Sequence, residues 1–311
     1  MLRRDLMGTL VAAGAASAVT VRSTATPLSS RSTTGASTKT VAASFIEAHD
    51  GTNLYWAQWG AGRPILFLNS AGLTTQMWDY QMAALADQGY RCIAFDRRGH
   101  GRSDRPPGGY EYDTFADDVA SVITALDLKA LTIVGHSMAG GEIVRYLTRH
   151  GSGRVARIVL LASTTPYLLK TIDNPNGVPQ SAFEALRASW RKDFPKWVAD
   201  NTAPFFVPET SASMMQWLAG ILMQCPVPIA IACNKALATT DFRAELAKIS
   251  VPTLVIHGDR DVSAPLALTG KPTAELIPGC QFKVYQGAPH GLMYTHMEML
   301  NSDILQFIRE T

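Results

Sequence analysis

Leu131-Thr132-Ile133-Val134-Gly135-His136-Ser137-Met138-Ala139-Gly140-Gly141-Glu142-Ile143-Val144-Arg145-Tyr146 is the stretch whose reading decides the fold. A β-branched apolar run breaks into a small-residue turn and then into a helical pattern, so the segment reads as strand, nucleophile, helix. A serine at such a turn is pushed out of the sheet edge. The N–H groups that open the following helix then face whatever it attacks. Gly135 and Ala139 flank Ser137 at two-residue spacing, where larger side chains would collide with the neighbouring strand or helix. The three-residue pattern G-x-S-x-A arises by chance in roughly one chain in ten of this length. What gives it meaning is the strand before it and the helix after it.

Working outward, Pro64-Ile65-Leu66-Phe67-Leu68, Tyr90-Arg91-Cys92-Ile93-Ala94-Phe95 and Arg157-Ile158-Val159-Leu160-Leu161-Ala162 are continuous apolar runs. Such runs mark strands buried on both faces. Helical spacing lies between them over residues 78–88 and 115–126, the latter opening with Asp117 and Asp118, which would suit a helix N-terminus. Residues 44–59 alternate around a His49-Asp50-Gly51-Thr52 turn, predicting an antiparallel hairpin at the sheet edge. The overall rhythm is that of a doubly wound, mostly parallel α/β sheet. Residues 164–240 interrupt it with Trp190, Trp197, Trp217, Phe205-Phe206, Met214, Met215, Met223 and many prolines. This part reads as a helical cap, a few of whose aromatic and Met residues face substrate. The rhythm resumes at Pro252-Thr253-Leu254-Val255-Ile256-His257-Gly258 and ends with a strand at Gln281-Phe282-Lys283-Val284-Tyr285 and a helix over residues 296–309.

The N-terminus reads differently. Arg3-Arg4 precede an apolar, alanine-rich run that closes on Ala16-Ser17-Ala18, the layout of an export signal over residues 1–21. The paired arginines are similar to a twin-arginine signal, so an exported, periplasmic or secreted protein is expected. Glycines interrupt the run, which argues against a stable membrane anchor. Residues 22–40 are dominated by Ser, Thr and Ala and read as a linker. The folded core is expected at 41–163 and 241–311, with the cap at 164–240.

The formal charge is only +2 across 311 residues, and the basic residues are scattered rather than striped, which excludes nucleic acid as a partner. Cys92, Cys225, Cys233 and Cys280 are widely spaced and show no metal-like grouping. No metal and no cofactor is expected, and Cys92 and Cys280 are expected as buried free thiols.

A serine hydroxyl needs a base within reach, and that base needs a carboxylate to fix its tautomer. Three strand-end loops supply Ser137, Asp261 and His290, and in a parallel sheet all such loops open on one edge. Among seven histidines, only His290 follows the final strand in a Pro/Gly-framed loop, Gly287-Ala288-Pro289-His290-Gly291. His136 sits inside the elbow with its side chain turned from the nucleophile. His49, His100, His150 and His257 lie in turns or at element ends. In Asp259-Arg260-Asp261, the first aspartate is the better turn cap and the second the better partner for His290. The loop Asn69-Ser70-Ala71-Gly72, after the first buried strand, is the candidate second half of an oxyanion hole. The glycine-rich loop from Asp96 to Asp104 reads as structural, its charged side chains binding backbone.

Gly135-His136-Ser137-Met138, Asp96-Arg97-Arg98-Gly99-His100-Gly101-Arg102-Ser103 and Ala288-Pro289-His290-Gly291-Leu292 together resemble the α/β-hydrolase superfamily. The likeness is strongest to the cofactor-free non-haem haloperoxidases with their esterase, perhydrolase and γ-lactamase relatives, and runs from about residue 45 to the C-terminus. It implies an eight-stranded sheet with a cap, a Ser137, Asp261, His290 triad, and oxyanion donors at the N–H groups of Ala71 and Met138. Where that group has His-Gly and an aromatic residue, this chain has Asn69-Ser70-Ala71, similar to the Asn-Ser-Leu-Gly of 3-oxoadipate enol-lactonases. Asn69, Ser70 and Trp78 are accordingly expected to touch substrate. The resemblance implies a small ester or lactone as substrate. Perhydrolysis or carbon–carbon bond hydrolysis with the same triad is an alternative, as is a non-catalytic binding protein on the same scaffold.

Overall fold

In the computed structural model, which describes residues 44–311, eight strands form one sheet. The expected export signal at 1–21 and the linker at 22–40 lie outside the described residues. The strands are β1 (Phe45–Glu47), β2 (Asn53–Trp59), β3 (Arg63–Leu68), β4 (Tyr90–Phe95), β5 (Leu131–His136), β6 (Val155–Leu161), β7 (Thr253–Gly258) and β8 (Gln281–Tyr285). Their spatial order is β1-β2-β4-β3-β5-β6-β7-β8. β2 is antiparallel to both β1 and β4, and every pairing from β4 across to β8 is parallel. The hairpin and the doubly wound sheet read from the sequence are both present.

Apolar residues in the central strands alternate between two cores. Leu66 and Leu68 of β3 join one with Phe115, Val119 and Ile143, while Ile65 and Phe67 join another with Met82, Leu85 and Phe307. The first core is closed by helices α2 (Tyr112–Ala125) and α3 (Ala139–His150), the second by α1 (Asp79–Ala86) and the C-terminal helix Met297–Glu310. Each such fully buried Leu, Ile or Phe contributes roughly 1.5–3 kcal/mol. Helix α2 begins three residues earlier than its spacing predicts. Only Asp113 therefore lies in its first turn, and Asp117 and Asp118 stand mid-helix. They are tolerated there because Arg98 forks the buried Asp118 carboxylate at 2.7 and 2.6 Å and Arg149 pairs with Asp117.

Between β6 and β7 the chain forms α4 (Gln180–Thr202), a 3-10 turn (Ala203–Phe205), α5 (Ala212–Leu222) and α6 (Val227–Thr239), with no strand of the sheet. Helix α4 is broken at Asp193, whose φ of −161° and ψ of 83° are non-helical. Pro195 follows two residues later, and Asp193 Oδ1 accepts from the Lys196 N–H at 2.9 Å to restart the helix. Cys92, Cys225, Cys233 and Cys280 are all free thiols, and Cys280 is half-buried in the turn ahead of β8 rather than in the strand.

The sheet order reverses at β3, which continues to β4 on one side and pairs with β5 on the other. Open α/β sheets form their crevice at this kind of switch point. Leu68 lies opposite Gly135, so Asn69-Ser70-Ala71 and His136-Ser137-Met138 leave the sheet side by side.

Candidate active site

The turn after β5 holds Ser137 at φ +58°. Left-handed backbone costs a residue with a Cβ about 1 kcal/mol or more, and here the strain lifts the hydroxyl out of the sheet. A Cβ on Gly135 would meet Ile143 Cδ1 at 2.6 Å and the Ala139 backbone at 3.1 Å, so any larger residue here would have to displace the buried Ile143 side chain and press on the start of α3. Ser137 N–H donates to Leu161 O at 2.9 Å, fixing the turn to β6, and Gly140 and Gly141 N–H donate back to Ser137 O and Met138 O. The Met138 N–H has no partner among the described residues, nor has that of Ala71 across the crevice.

His290 stands in the loop after β8 with its Nδ1 2.6 Å from Asp261 Oδ2, and both side chains are almost wholly buried. Since a carboxylate only accepts, Nδ1 carries the proton and Nε2 is the basic nitrogen. Burial pushes the Asp261 carboxyl upward. The pull of His290 and hydrogen bonds from His257, His290 and the Ala264 N–H outweigh it, holding the group well below the usual carboxylate range. Asp259 serves the turn, its Oδ1 accepting the Gly287 N–H at 2.7 Å and so joining the acid loop to the histidine loop. His136 Nε2–H donates to the His290 carbonyl at 2.9 Å, which seats the histidine loop on the elbow. No hydrogen bond joins Ser137 Oγ to His290, and in triads of this kind that bond tightens when substrate engages.

Some residues take other places than the sequence implied. Asn69 and Trp78, expected at the substrate, do not line the cavity. Asn69 Nδ2 donates to Phe95 O at 2.8 Å, and Trp78 is fully buried against Phe67, its ring centroid 5.1 Å away. Both face the sheet because the turn after β3 curls over the core, so that of this loop Ser70, Ala71 and Gly72 line the cavity and Asn69 does not. His136, read as turned from the nucleophile, packs its ring 4.6 Å from that of His290. His257 stands at the end of β7, where the sequence placed it, and what was not foreseen is its Nε2–H, shared between Ala264 O at 2.7 Å and Asp261 Oδ2 at 3.2 Å. Its period-two position in a buried strand one turn before Asp261 was the available signal.

The glycine-rich loop is structural, as expected, and it reaches the site. His100 Nε2 accepts the Gly72 N–H at 3.1 Å while its Nδ1–H donates to Arg98 O at 3.0 Å. Burial, with the nearby Arg97 charge, lowers the pKa of this imidazole from 6.5 to about 3. The folded state therefore binds fewer protons at His100 than the unfolded state between these values, so stability falls as pH drops from 6.5 towards 3. The slope is about 1.4 kcal/mol per pH unit. In urea melts at a series of acidic pH values, His100→Gln should flatten the decline by about that amount per unit. An unaltered slope would show that His100 is not the group being protonated.

A cavity of about 210 Å³ lies between the sheet edge and the insertion, bounded by Ala71 and His290 on one side and by Trp190, Phe194, Trp197 and Leu218 on the other. Of the aromatic and Met residues singled out in the insertion, Trp190, Trp197 and Phe205 line it. Trp217, Phe206, Met214 and Met215 pack into the core instead, and Met223 is exposed. The insertion is also tied to the histidine loop, because Gly291 N–H donates to Phe205 O at 2.9 Å.

Comparison with known proteins agrees with this geometry. Residues 63–220 match a family model described as the alpha/beta hydrolase fold. The chain is 38% identical over 271 residues to the non-heme chloroperoxidase CPO-A1 of Kitasatospora aureofaciens, covering 84% of this chain and 98% of that protein. It is 34% identical over 275 residues to the bifunctional esterase/perhydrolase DCH of Acinetobacter calcoaceticus, covering 85% and 99%. Among solved structures, the esterase EaEST from Exiguobacterium antarcticum superposes with a TM-score of 0.83 at 31% identity, covering 86% of this chain and 99% of that one.

Proposed function

The chain belongs to the α/β-hydrolase fold family, and from that membership we propose that it cleaves small carboxylic esters or lactones through an acyl-enzyme on Ser137. The observation that carries this reading is the pair of unpartnered N–H groups, Met138 and Ala71, beside a serine held at φ +58°. In the proposed reaction His290 Nε2 takes the proton of Ser137 Oγ as the oxygen attacks the carbonyl carbon. The Ala71 and Met138 N–H groups receive the oxyanion. Collapse breaks the bond to the leaving oxygen, which takes the proton from His290. Water then repeats the sequence on the acyl-enzyme, and Ser137 leaves protonated. Asp261 keeps His290 in the productive tautomer throughout. In a lactone the leaving oxygen stays tethered to the acyl group.

The cavity favours a small, apolar substrate, being below the roughly 300–1,000 Å³ of pockets for drug-sized ligands and walled by the rings of Trp190, Phe194, Trp197 and Phe205. A second acceptor is favoured by the esterase/perhydrolase similarity: hydrogen peroxide in place of water would release a peracid from the same acyl-enzyme.

A fluorophosphonate should label the protein stoichiometrically, with the adduct on Ser137 by mass spectrometry. In a panel of p-nitrophenyl esters and γ-lactones, acetyl and butyryl esters should exceed dodecanoyl esters at least about tenfold in kcat/KM. Adding peroxide and following peracid distinguishes the two acceptors. An adduct on any other residue, or no turnover across the panel, would overturn the reading.

A further inference from the structure

The proposed oxyanion hole is built from two chain segments, and one buried ion pair joins them. Arg97, 2% exposed, donates from Nε to Glu142 Oε1 at 2.6 Å, from Nη2 to Asn69 O at 2.6 Å and from Nη1 to Ser70 O at 3.2 Å. Glu142, 1% exposed, stands in the first turn of α3, the helix that Met138 caps. Asn69 and Ser70 immediately precede Ala71 in the loop after β3. A single guanidinium plane therefore spans the helix that carries one oxyanion donor and the loop that carries the other.

The N–H groups on either side of Ala71 are engaged, and the Leu73 N–H donates to Ser70 O at 3.3 Å. The Ser70 N–H meets Met77 Sδ at 3.2 Å, and the Gly72 N–H meets His100 Nε2 at 3.1 Å. With Asn69 O and Ser70 O both held by Arg97, the Ala71 N–H is the one N–H from Ser70 to Leu73 without a partner among the described residues. The arrangement is not explained by stability. Desolvating an ion pair offsets much of its attraction, and replacing such a pair by apolar residues of similar volume is often neutral or stabilising. The pair is explained by what it holds: two carbonyls whose placement fixes the next N–H.

We propose that Arg97 and Glu142 are positioning residues that set the spacing between the Ala71 and Met138 N–H groups. The proposal rests on the reading of those groups as the oxyanion hole. It assigns the pair an effect on the tetrahedral species and none on substrate binding, because neither residue lines the cavity.

Two variants test it, with p-nitrophenyl acetate as substrate, phenylboronic acid as the tetrahedral mimic and thermal melts as the measure of folding. R97M/E142L replaces the pair with apolar volume and removes the guanidinium from both carbonyls, leaving Ser70 O only its 3.3 Å bond from the Leu73 N–H. R97K keeps a charge opposite Glu142 but ends in one ammonium, which cannot hold two carbonyls and a carboxylate in a plane. For each folded variant, kcat should fall about tenfold to a hundredfold, KM should stay within about threefold, and boronate affinity should weaken in step with kcat. If R97M/E142L loses its cooperative melt, R97K decides. A folded variant with kcat within about twofold of wild type, or with the loss confined to KM, overturns the proposal. Wild-type labelling of Ser137 separates the two readings. If wild-type protein is neither labelled nor active, the hydrolase reading fails and this inference with it; if wild type is active and the variants match it, this inference fails alone.

Discussion

Replacement of Ser137 by alanine is expected to lower kcat/KM for a short ester by about a million-fold while the protein stays folded. The size of the effect follows from the hydroxyl's isolation. Ser70 and Ser263 line the cavity with His290, but neither belongs to the elbow on which His136 seats the His290 loop while Asp261 holds its ring; the serine of that elbow is Ser137. With Oγ gone, only the oxyanion donors and substrate binding remain, and these alone give roughly a thousandfold to ten-thousandfold over the uncatalysed reaction. Alanine keeps a Cβ at φ +58°, so the turn's strain persists and the melting temperature should stay close to wild type. Ser137→Gly should be equally inactive and more stable than Ser137→Ala, by up to about 1 kcal/mol, because glycine adopts this conformation freely. Steady-state kinetics on freshly purified protein checks the prediction. Retention of more than about 1% of wild-type kcat/KM by Ser137→Ala would mean that another group is the nucleophile.

The second large effect concerns Asp261. Oδ1 accepts from the Ser263 N–H at 2.9 Å and the Ala264 N–H at 2.7 Å, while Oδ2 accepts from His290 Nδ1 and His257 Nε2. All four neighbours are donors, so Asp261→Asn must aim its own NH₂ at a donor whichever way the amide turns. Turned towards the loop, it leaves two backbone N–H groups unpaired. Turned towards His290, it forces the imidazole into the tautomer whose Nε2 carries the proton and cannot accept one from Ser137. We expect kcat to fall about ten-thousandfold and the protein to lose about 1–3 kcal/mol of stability. The sign with pH follows from the depressed carboxyl pKa. Wild-type protein has the stabilisation of the carboxylate in full above the unfolded value of 3.8 and loses it as pH falls through the lower folded value. Asp261→Asn should lack that acid-side loss. Urea melts read the stability term and ester kinetics the catalytic one. Near-wild-type turnover would remove Asp261 from the mechanism.

What could be read from the sequence was whatever is written in local order. The run 131–136 is apolar and β-branched, Gly135 and Ala139 are small, and helical spacing follows, so strand, turn and helix were legible within sixteen residues. Asp261 and His290 were legible because strand-end loops of a parallel sheet open on one edge. The contacts that were missed are long-range or oriented. Arg97 and Glu142 are 45 residues apart, and nothing local in either segment couples them. Asn69 and Trp78 were placed near the crevice correctly along the chain, yet side-chain direction is set by how the loop curls over the core. The start of α2 was misplaced because two acidic residues looked like first-turn residues when their partners were Arg98 and Arg149.

The tie between Gly291 and Phe205 has a consequence for exchange of parts. Residues 203–206 sit in the insertion by sequence, yet the Phe205 carbonyl anchors the loop of His290 and the Phe205 ring stands edge-on to that imidazole at 5.4 Å. The insertion is therefore two pieces in practice. Helices α5 and α6 reach the cavity through Leu218, Leu222 and Ala230 without touching that mounting, whereas a graft whose seam removes the Phe205 turn takes part of the base's own mounting with it.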